Sequence, residues 1–278
     1  MTAQFWWKER IFKDFGHAYK VELVYEKKGL QKIQIFKNET WGYFFVLDGI
    51  VQFTEKDEYI YHETITYLPA SLLPSSPESV LIIGGGDGGV LKLVQSIPSV
   101  KKIVQYEVDE QVFELCQKYF PGLSGDFSDE RLEFKIKDGL EGIKERESQE
   151  FDLVIVDCTD PVGPAKTLYT LEFYEEAERV LKPHGVFIQQ ASLPVYFPWI
   201  IKESYPLLKQ AFEFTRVARA FVPCYGEEIA FFVASKEQKN WEKAILEFKG
   251  DYYHPGLNSY YFTLPLNWLR LISSDEDA

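Results

Sequence analysis

Among the 278 residues, the stretch Gly84-Gly85-Gly86-Asp87-Gly88-Gly89 constrains the fold most. It follows the apolar run Val80 to Ile83 and precedes a helical pattern from Val90 to Ser96. The glycines at 84, 86 and 89 therefore fall on G-x-G-x-x-G at a strand-to-helix turn, where the backbone can approach a nucleotide-type ligand closely. Glu107 ends the next apolar strand, 23 residues after Gly84, at the place where a carboxylate grips ribose hydroxyls. Asp87 sets the loop apart. It lies where the pyrophosphate of a dinucleotide would pack against the helix N-terminus, and two negative groups there repel. The loop thus disfavours NAD or FAD and, less strongly, the amino-acid carboxylate of S-adenosylmethionine. It favours a ligand with an adenosine end and a positively charged amine beyond its sulfur.

Around the loop, short apolar runs alternate with amphipathic segments. Strand patterns at Lys102 to Tyr106, Leu132 to Ile136, Phe151 to Val156 and Val186 to Gln189 interleave with helical ones at Asp109 to Tyr119, Leu140 to Glu147 and Leu171 to Leu181. Such alternation predicts an α/β fold with a doubly wound, Rossmann-like parallel sheet. Thr215 to Val222 and Ile229 to Ala234 are joined by a short loop containing Pro and Gly, which predicts an antiparallel pair at one edge. About the first 60 residues read instead as β-structure, with Asp48-Gly49 between two apolar runs as a hairpin turn. A helix over Tyr59 to Leu72 and the Pro74-Ser75-Ser76-Pro77 break follow. The expected organisation is a small all-β domain over 1–60, a connecting helix and linker over 61–77, and a Rossmann-like catalytic domain over 78–278. A short acidic tail runs from Asp275 to Asp277.

Lys and Arg number 30 against 43 Asp and Glu, giving a net charge of −13, which excludes nonspecific nucleic-acid binding and favours cationic partners. No run approaches the roughly 20 apolar residues of a membrane span, and the start MTAQFWWKER lacks a signal peptide's apolar core. No membrane partner and a cytoplasmic location are the expectations. Cys116, Cys158 and Cys224 are too scattered for a disulfide framework or a zinc site.

The acidic groups gather at strand ends. Asp157-Cys158-Thr159-Asp160-Pro161-Val162-Gly163-Pro164 follows the strand Phe151 to Val156, at the carboxyl edge where ligands of doubly wound sheets bind. Its prolines stiffen the segment, so that Asp157 and Asp160 share one mouth with Asp87. Three carboxylates in one mouth require a compensating cation, for which Mg²⁺, Ca²⁺ and a polyamine all qualify. Asp138-Gly139 ends another strand, where Asp can accept from an adenine amino group or simply make a turn. Tyr61, His62 and Tyr225 are candidates for a wall that orients amines. Cys158 has no histidine partner nearby in sequence and reads as a small loop residue rather than a nucleophile.

The segments Val46-Leu47-Asp48-Gly49, Thr54 to Glu63 (TEKDEYIYHE), the GGGDGG loop and DCTDPVGP occur in that order, and the whole closely resembles the spermidine synthase family of aminopropyltransferases. The resemblance extends from the N-terminal hairpin to about Ala234. It implies a sheet of the S-adenosylmethionine-dependent methyltransferase type. The implied reaction moves the aminopropyl group of decarboxylated S-adenosylmethionine, a co-substrate, to putrescine, giving spermidine and 5′-methylthioadenosine with no metal and no resident cofactor. Carried over by motif position, Asp157 is the proton acceptor. Gln31, Asp87, Glu107, Asp138, Gly139 and Pro164 hold the donor beside the loop glycines Gly84, Gly85, Gly86 and Gly88. Tyr61, His62, Asp87, Asp157, Asp160 and Tyr225 hold the acceptor. The chain departs from many relatives at Gln189-Gln190-Ala191-Ser192, where a Gly-Glu pair often follows the glutamine, so cadaverine, agmatine and spermidine stand as alternative acceptors. A methyltransferase and a noncatalytic polyamine or nucleoside sensor are the competing readings. A homodimer or homotetramer is expected by resemblance, and Gly163 to Thr170 is the candidate lid.

Overall fold

The computed structural model describes residues 3–273, so the acidic tail Asp275 to Asp277 lies outside the described residues. The chain begins with an antiparallel meander of five strands in sequence order: β1 (Phe5–Arg10), β2 (Gly16–Lys28), β3 (Lys32–Asn38), β4 (Gly42–Leu47) and β5 (Ile50–Thr54). Asp48 and Gly49 join β4 to β5 with φ of 49° and 85°, the two left-handed residues that a tight hairpin matched to strand twist requires.

Helix α1 (Glu58–Ser71) follows directly, and every residue from Ile60 to Ser71 is buried. Its sequence has no polar stripe because it has no wet face. Phe44, Val46 and Val51 of the meander share one core with Ile65 and Leu68 of α1 and with Val80, Ile82, Leu153 and Ile155 of the second sheet. The buried Glu63 carboxylate is satisfied by the backbone N–H groups of Asp251, Tyr252 and Tyr253 at 2.7–2.8 Å, which fastens the C-terminal segment to the helix.

The second sheet alternates strands and helices: β6 (Ser79–Gly84), α2 (Gly89–Gln95), β7 (Lys102–Glu107), α3 (Glu110–Tyr119), β8 (Leu132–Ile136), α4 (Gly139–Lys144), β9 (Phe151–Asp157), a 3₁₀ helix at Gly163–Tyr169, α5 (Leu171–Val180) and β10 (Leu181–Gln190). Then come α6 (Pro198–Ala211), β11 (Phe214–Val222), a 3₁₀ turn at Pro223–Tyr225, β12 (Glu227–Ser235), α7 (Asn258–Phe262) and α8 (Leu266–Ile272). Spatial order is β11-β12-β10-β9-β6-β7-β8. The pairs from β10 to β8 are parallel, whereas β12 runs antiparallel to both β10 and β11. This is the mixed Rossmann-like sheet expected, with its antiparallel pair at one edge. Strand order reverses between β6 and β9, and Gly84 pairs with Asp157 across that switch point, the position at which doubly wound folds bind ligands.

Two local readings differ from expectation. Strand β10 starts at Leu181 directly after α5, with an irregular register between Leu181 and Val186, because Pro183 and Gly185 mask the alternation without preventing extension. Helix α6 had no counterpart in the sequence reading; Pro198 sits at its first turn, where a missing N–H costs nothing, and Pro206 lies inside it. Among the described residues no helix is long and apolar enough to cross a membrane.

Candidate active site

A cavity of about 310 Å³ opens at the switch point, between the carboxyl ends of β6, β7 and β9 and the meander. Gln31, Asp87, Glu107, Asp138, Gly139, Pro164 and the glycines 84 to 86 line one part of it. Tyr61, His62, Asp157, Asp160 and Tyr225 line the other. Gly88 stands behind the wall instead, as the left-handed N-cap of α2 with φ of 82°.

On the loop side, the Asp87 Oδ1 accepts from the Gly89 N–H at 2.6 Å, so the loop's acidic residue also starts α2. Glu107 is 7% exposed, and its Oε1 accepts from the Asp109 N–H at 2.8 Å. Its other oxygen lies over Gly86, where a Cβ would stand 2.7 Å away; only glycine leaves room for that approach. Burial, opposed in part by the Asp109 and Val108 N–H groups, pushes the Glu107 carboxyl up to about 7. Asp138 caps α4 through its Oδ1, which accepts from Leu140 and Glu141, and Thr167 Oγ1 approaches its Oδ2 at 3.5 Å. The turn reading and the ligand reading of Asp138 thus use different oxygens. Gln31, at the β2–β3 turn, donates to Asp48 Oδ2 at 3.4 Å.

On the amine side, adjacent residues of α1 reach two different carboxylates. Tyr61 donates its hydroxyl to Asp157 Oδ1 at 2.6 Å. His62 places Nδ1 2.6 Å from Glu58 Oε2 and Nε2 3.4 Å from Asp87 Oδ1. Burial alone would favour neutral imidazole, but Asp87 and Glu58 together outweigh it and hold the His62 pKa well above its ordinary value. Asp87 is correspondingly lowered: burial opposes its charge, and His62 and the Gly89 N–H more than offset it. His62 therefore supports Asp87 from behind.

Asp157 differs. Its Oδ2 is buried without a hydrogen-bond partner among the described residues, and burial, reinforced by the charge of Asp87, pushes its carboxyl up to about 7. His62 and the Tyr61 hydroxyl only partly counter this. Donor atoms of His62, Asp87 and Asp157 lie within 4.8 Å of one another, a spacing that could hold a cation. Both imidazole nitrogens are already engaged by carboxylates, which leaves the ring poorly suited to metal ligation. Burial also raises the Asp160 carboxyl, and Gln190 Nε2 donates to its Oδ1 at 3.2 Å. Tyr225 donates to the Gln52 carbonyl at 2.7 Å, tying the wall to β5. Cys158 is half-buried against Tyr169, and desolvation pushes its thiol up to about 12, so it is no nucleophile at neutral pH.

Sequence reasoning missed Gln105, whose amide donates to the Gly84 and Gly85 carbonyls at 2.9 and 2.8 Å and braces the loop. A clue was present, since Gln105 is polar inside an apolar strand and shares a face with Glu107 two residues on.

A Rossmann-like sheet with a glycine loop and a buried carboxylate at its switch point, opening on an acidic mouth, defines the class of nucleotide-fold transferases. Residues 58–244 match the spermine/spermidine synthase domain family, and residues 5–55 match the spermidine synthase tetramerisation domain. A polyamine aminopropyltransferase of Thermoplasma volcanium is 36% identical over 263 residues, covering 94% of this chain and 95% of that protein. One from Clostridium tetani is 39% identical over 267 residues, covering 94% of each chain. Among solved structures, a spermidine synthase in complex with the transition state analogue AdoDATO superposes with TM-score 0.88 at 35% identity, covering 96% of this chain and 94% of that one. Spermidine synthase from Thermotoga maritima gives 0.87 at 35% identity, with the same coverage. The chain belongs to the spermidine synthase family and is an aminopropyltransferase.

Proposed function

We propose that this enzyme transfers the aminopropyl group of decarboxylated S-adenosylmethionine to putrescine, giving spermidine and 5′-methylthioadenosine. The observation that carries the reading is Asp157: a carboxylate with one oxygen held by Tyr61, the other buried and unpartnered, and a pKa of about 7. A diamine is protonated at both ends near neutrality, so the attacking amine must first give up a proton. Asp157 takes it. The freed nitrogen lone pair attacks the methylene next to the sulfonium, the C–S bond breaks, and its electrons leave with methylthioadenosine. No metal is needed, because the sulfonium is already a good leaving group.

In this reading Asp87 binds the donor's ammonium, Glu107 its ribose hydroxyls, and Asp138 with Gly139 its adenine. Gln31, Pro164 and the glycines 84 to 86 complete that pocket, and Gly88 shapes the loop from behind it. Tyr61, His62, Asp160 and Tyr225 hold the acceptor, Asp160 by pairing with its far ammonium. The same Asp87 argues against a methyltransferase, since the parent S-adenosylmethionine would bring a carboxylate beside it. The division into 1–60, 61–77 and 78–278, an oligomer built through the N-terminal sheet, and a cytoplasmic location belong to the same proposal.

Product analysis by mass spectrometry tests it, with decarboxylated S-adenosylmethionine offered alongside putrescine, cadaverine, agmatine and spermidine in competition. Spermidine and methylthioadenosine are the expected products. Extension of another amine would overturn putrescine as acceptor, and transfer of a methyl group from the parent donor would overturn the reading of the donor pocket.

A further inference from the structure

Behind the amine end of the cavity lies a carboxylate that the reaction does not use. Glu227, the first residue of β12, is 8% exposed. Its two oxygens accept from the backbone N–H groups of Val195 and, at 3.2 Å, Tyr196. These belong to a turn closed by the Tyr196 and Phe197 N–H groups donating to the Leu193 carbonyl at 3.0 and 2.7 Å. Leu193 and Phe197 line the cavity. The preceding Gly226 has φ of 68°, and a Cβ there would stand 2.8 Å from His17 Nε2, so the N-terminal sheet closes onto the same corner. Phe12 and Phe15 pack on Phe197 and Tyr196, with ring centroids 5.6 and 5.3 Å apart. The neighbouring Glu228 is occupied by Arg219 at 2.7 Å.

We propose that Glu227 is a positioning residue that sets amine selectivity, by clamping the turn 193–197 and so fixing the depth of the cavity's far wall. The inference rests on the reading of Asp157 and Asp160 as the acceptor's partners. Beyond Asp160 the wall is apolar at Leu193, Phe197 and Ile229, and Glu227 spends both oxygens on backbone. A third ammonium would meet no free carboxylate there. The wall therefore suits short diamines over triamines, which answers the question raised by the sequence departure at Ala191-Ser192.

The test is steady-state kinetics of the full-length wild type and Glu227→Gln with putrescine and with spermidine, after thermal melting has shown the variant folded. Gln keeps the size of Glu but turns an NH₂ toward a backbone N–H. At pH 8, where the Glu227 carboxyl, pushed up to about 7 by burial, is ionised, the expected result is a rise of roughly tenfold in KM for putrescine, as befits loss of a charged hydrogen bond. kcat changes far less, KM for the donor holds, and the preference for putrescine over spermidine narrows. Leu193→Ala, which opens the wall directly, should narrow it too and carries the test if Glu227→Gln does not fold. Unchanged selectivity in a folded Glu227→Gln overturns the proposal, as does unchanged selectivity in Leu193→Ala. A wild type that extends no amine refutes the acceptor reading itself and removes the inference with it, an outcome distinct from normal transfer with an indifferent variant.

Discussion

Asp157→Asn separates the chemistry of the acidic mouth from its stability. Moving this carboxyl from 3.8 to about 7 corresponds, at about 1.4 kcal/mol per unit, to at most ~4 kcal/mol of unfavourable charge burial once the group is ionised. The folded state binds the proton more tightly than the unfolded chain, so stability falls as pH rises between about 4 and 7, and the full penalty stands above 7. Asn retains an oxygen to accept from Tyr61 and carries no charge. The variant should therefore melt higher than wild type at pH 8, with each kcal/mol gained worth roughly 2–4 °C, and the difference should vanish near pH 4. Its transfer rate should drop by roughly 10²–10⁴-fold, the usual worth of a positioned general base. Wild-type kcat should fall as pH drops through 7, while the residual rate of Asp157→Asn should be flat there. Differential scanning calorimetry across pH and single-turnover transfer kinetics read the two effects. A variant that is active at wild-type rates, or that melts lower at pH 8, would refute the assignment of Asp157 as a buried, charge-strained base.

Three further outcomes follow from the site geometry. Tyr61→Phe removes the hydrogen bond that holds the Asp157 pKa down, so the acid limb of the kcat profile should move to higher pH; an unmoved limb counts against the coupling. Gly86→Ala puts a methyl group 2.7 Å from the Glu107 carboxylate, and calorimetric titration should show donor affinity lost while the fold, read by circular dichroism, persists. Asp138→Ala removes the cap of α4 as well as the proposed adenine contact, so it should cost about 1 kcal/mol of stability in urea titrations in addition to weakening donor binding.

Much of this was legible because it is written in local chemistry. The glycine loop, the strand-end carboxylates and the Asp48-Gly49 turn each need only their neighbours in sequence to be interpreted. The sheet's edge pair announced itself through two apolar runs too close for a helix between them. What stayed hidden depends on distant packing. That His62 braces Asp87 requires α1 to lie against the glycine loop, and nothing in YIYHE states this. Glu227 follows a turn and reads as a solvated residue until the 193–197 segment folds over it. Helix α6 was obscured by two prolines that its first turn and its interior tolerate, and the short helices after residue 236 carry too little period to be read. The roles of individual site residues came from resemblance; the geometry adds which oxygens are free to perform them.

Neighbouring positions 61 and 62 on α1 serve opposite halves of the cavity, one touching Asp157 and the other Asp87 of the glycine loop, while Glu63 beside them anchors the C-terminal segment. A displacement of this helix cannot retune one half alone. Divergence toward new amines is therefore channelled away from α1 and into segments that border the cavity without bridging its two halves, the 193–197 turn and the β4–β5 hairpin. Directed-evolution libraries for altered acceptors would be richer in active clones if they left 58–71 untouched and diversified those two segments.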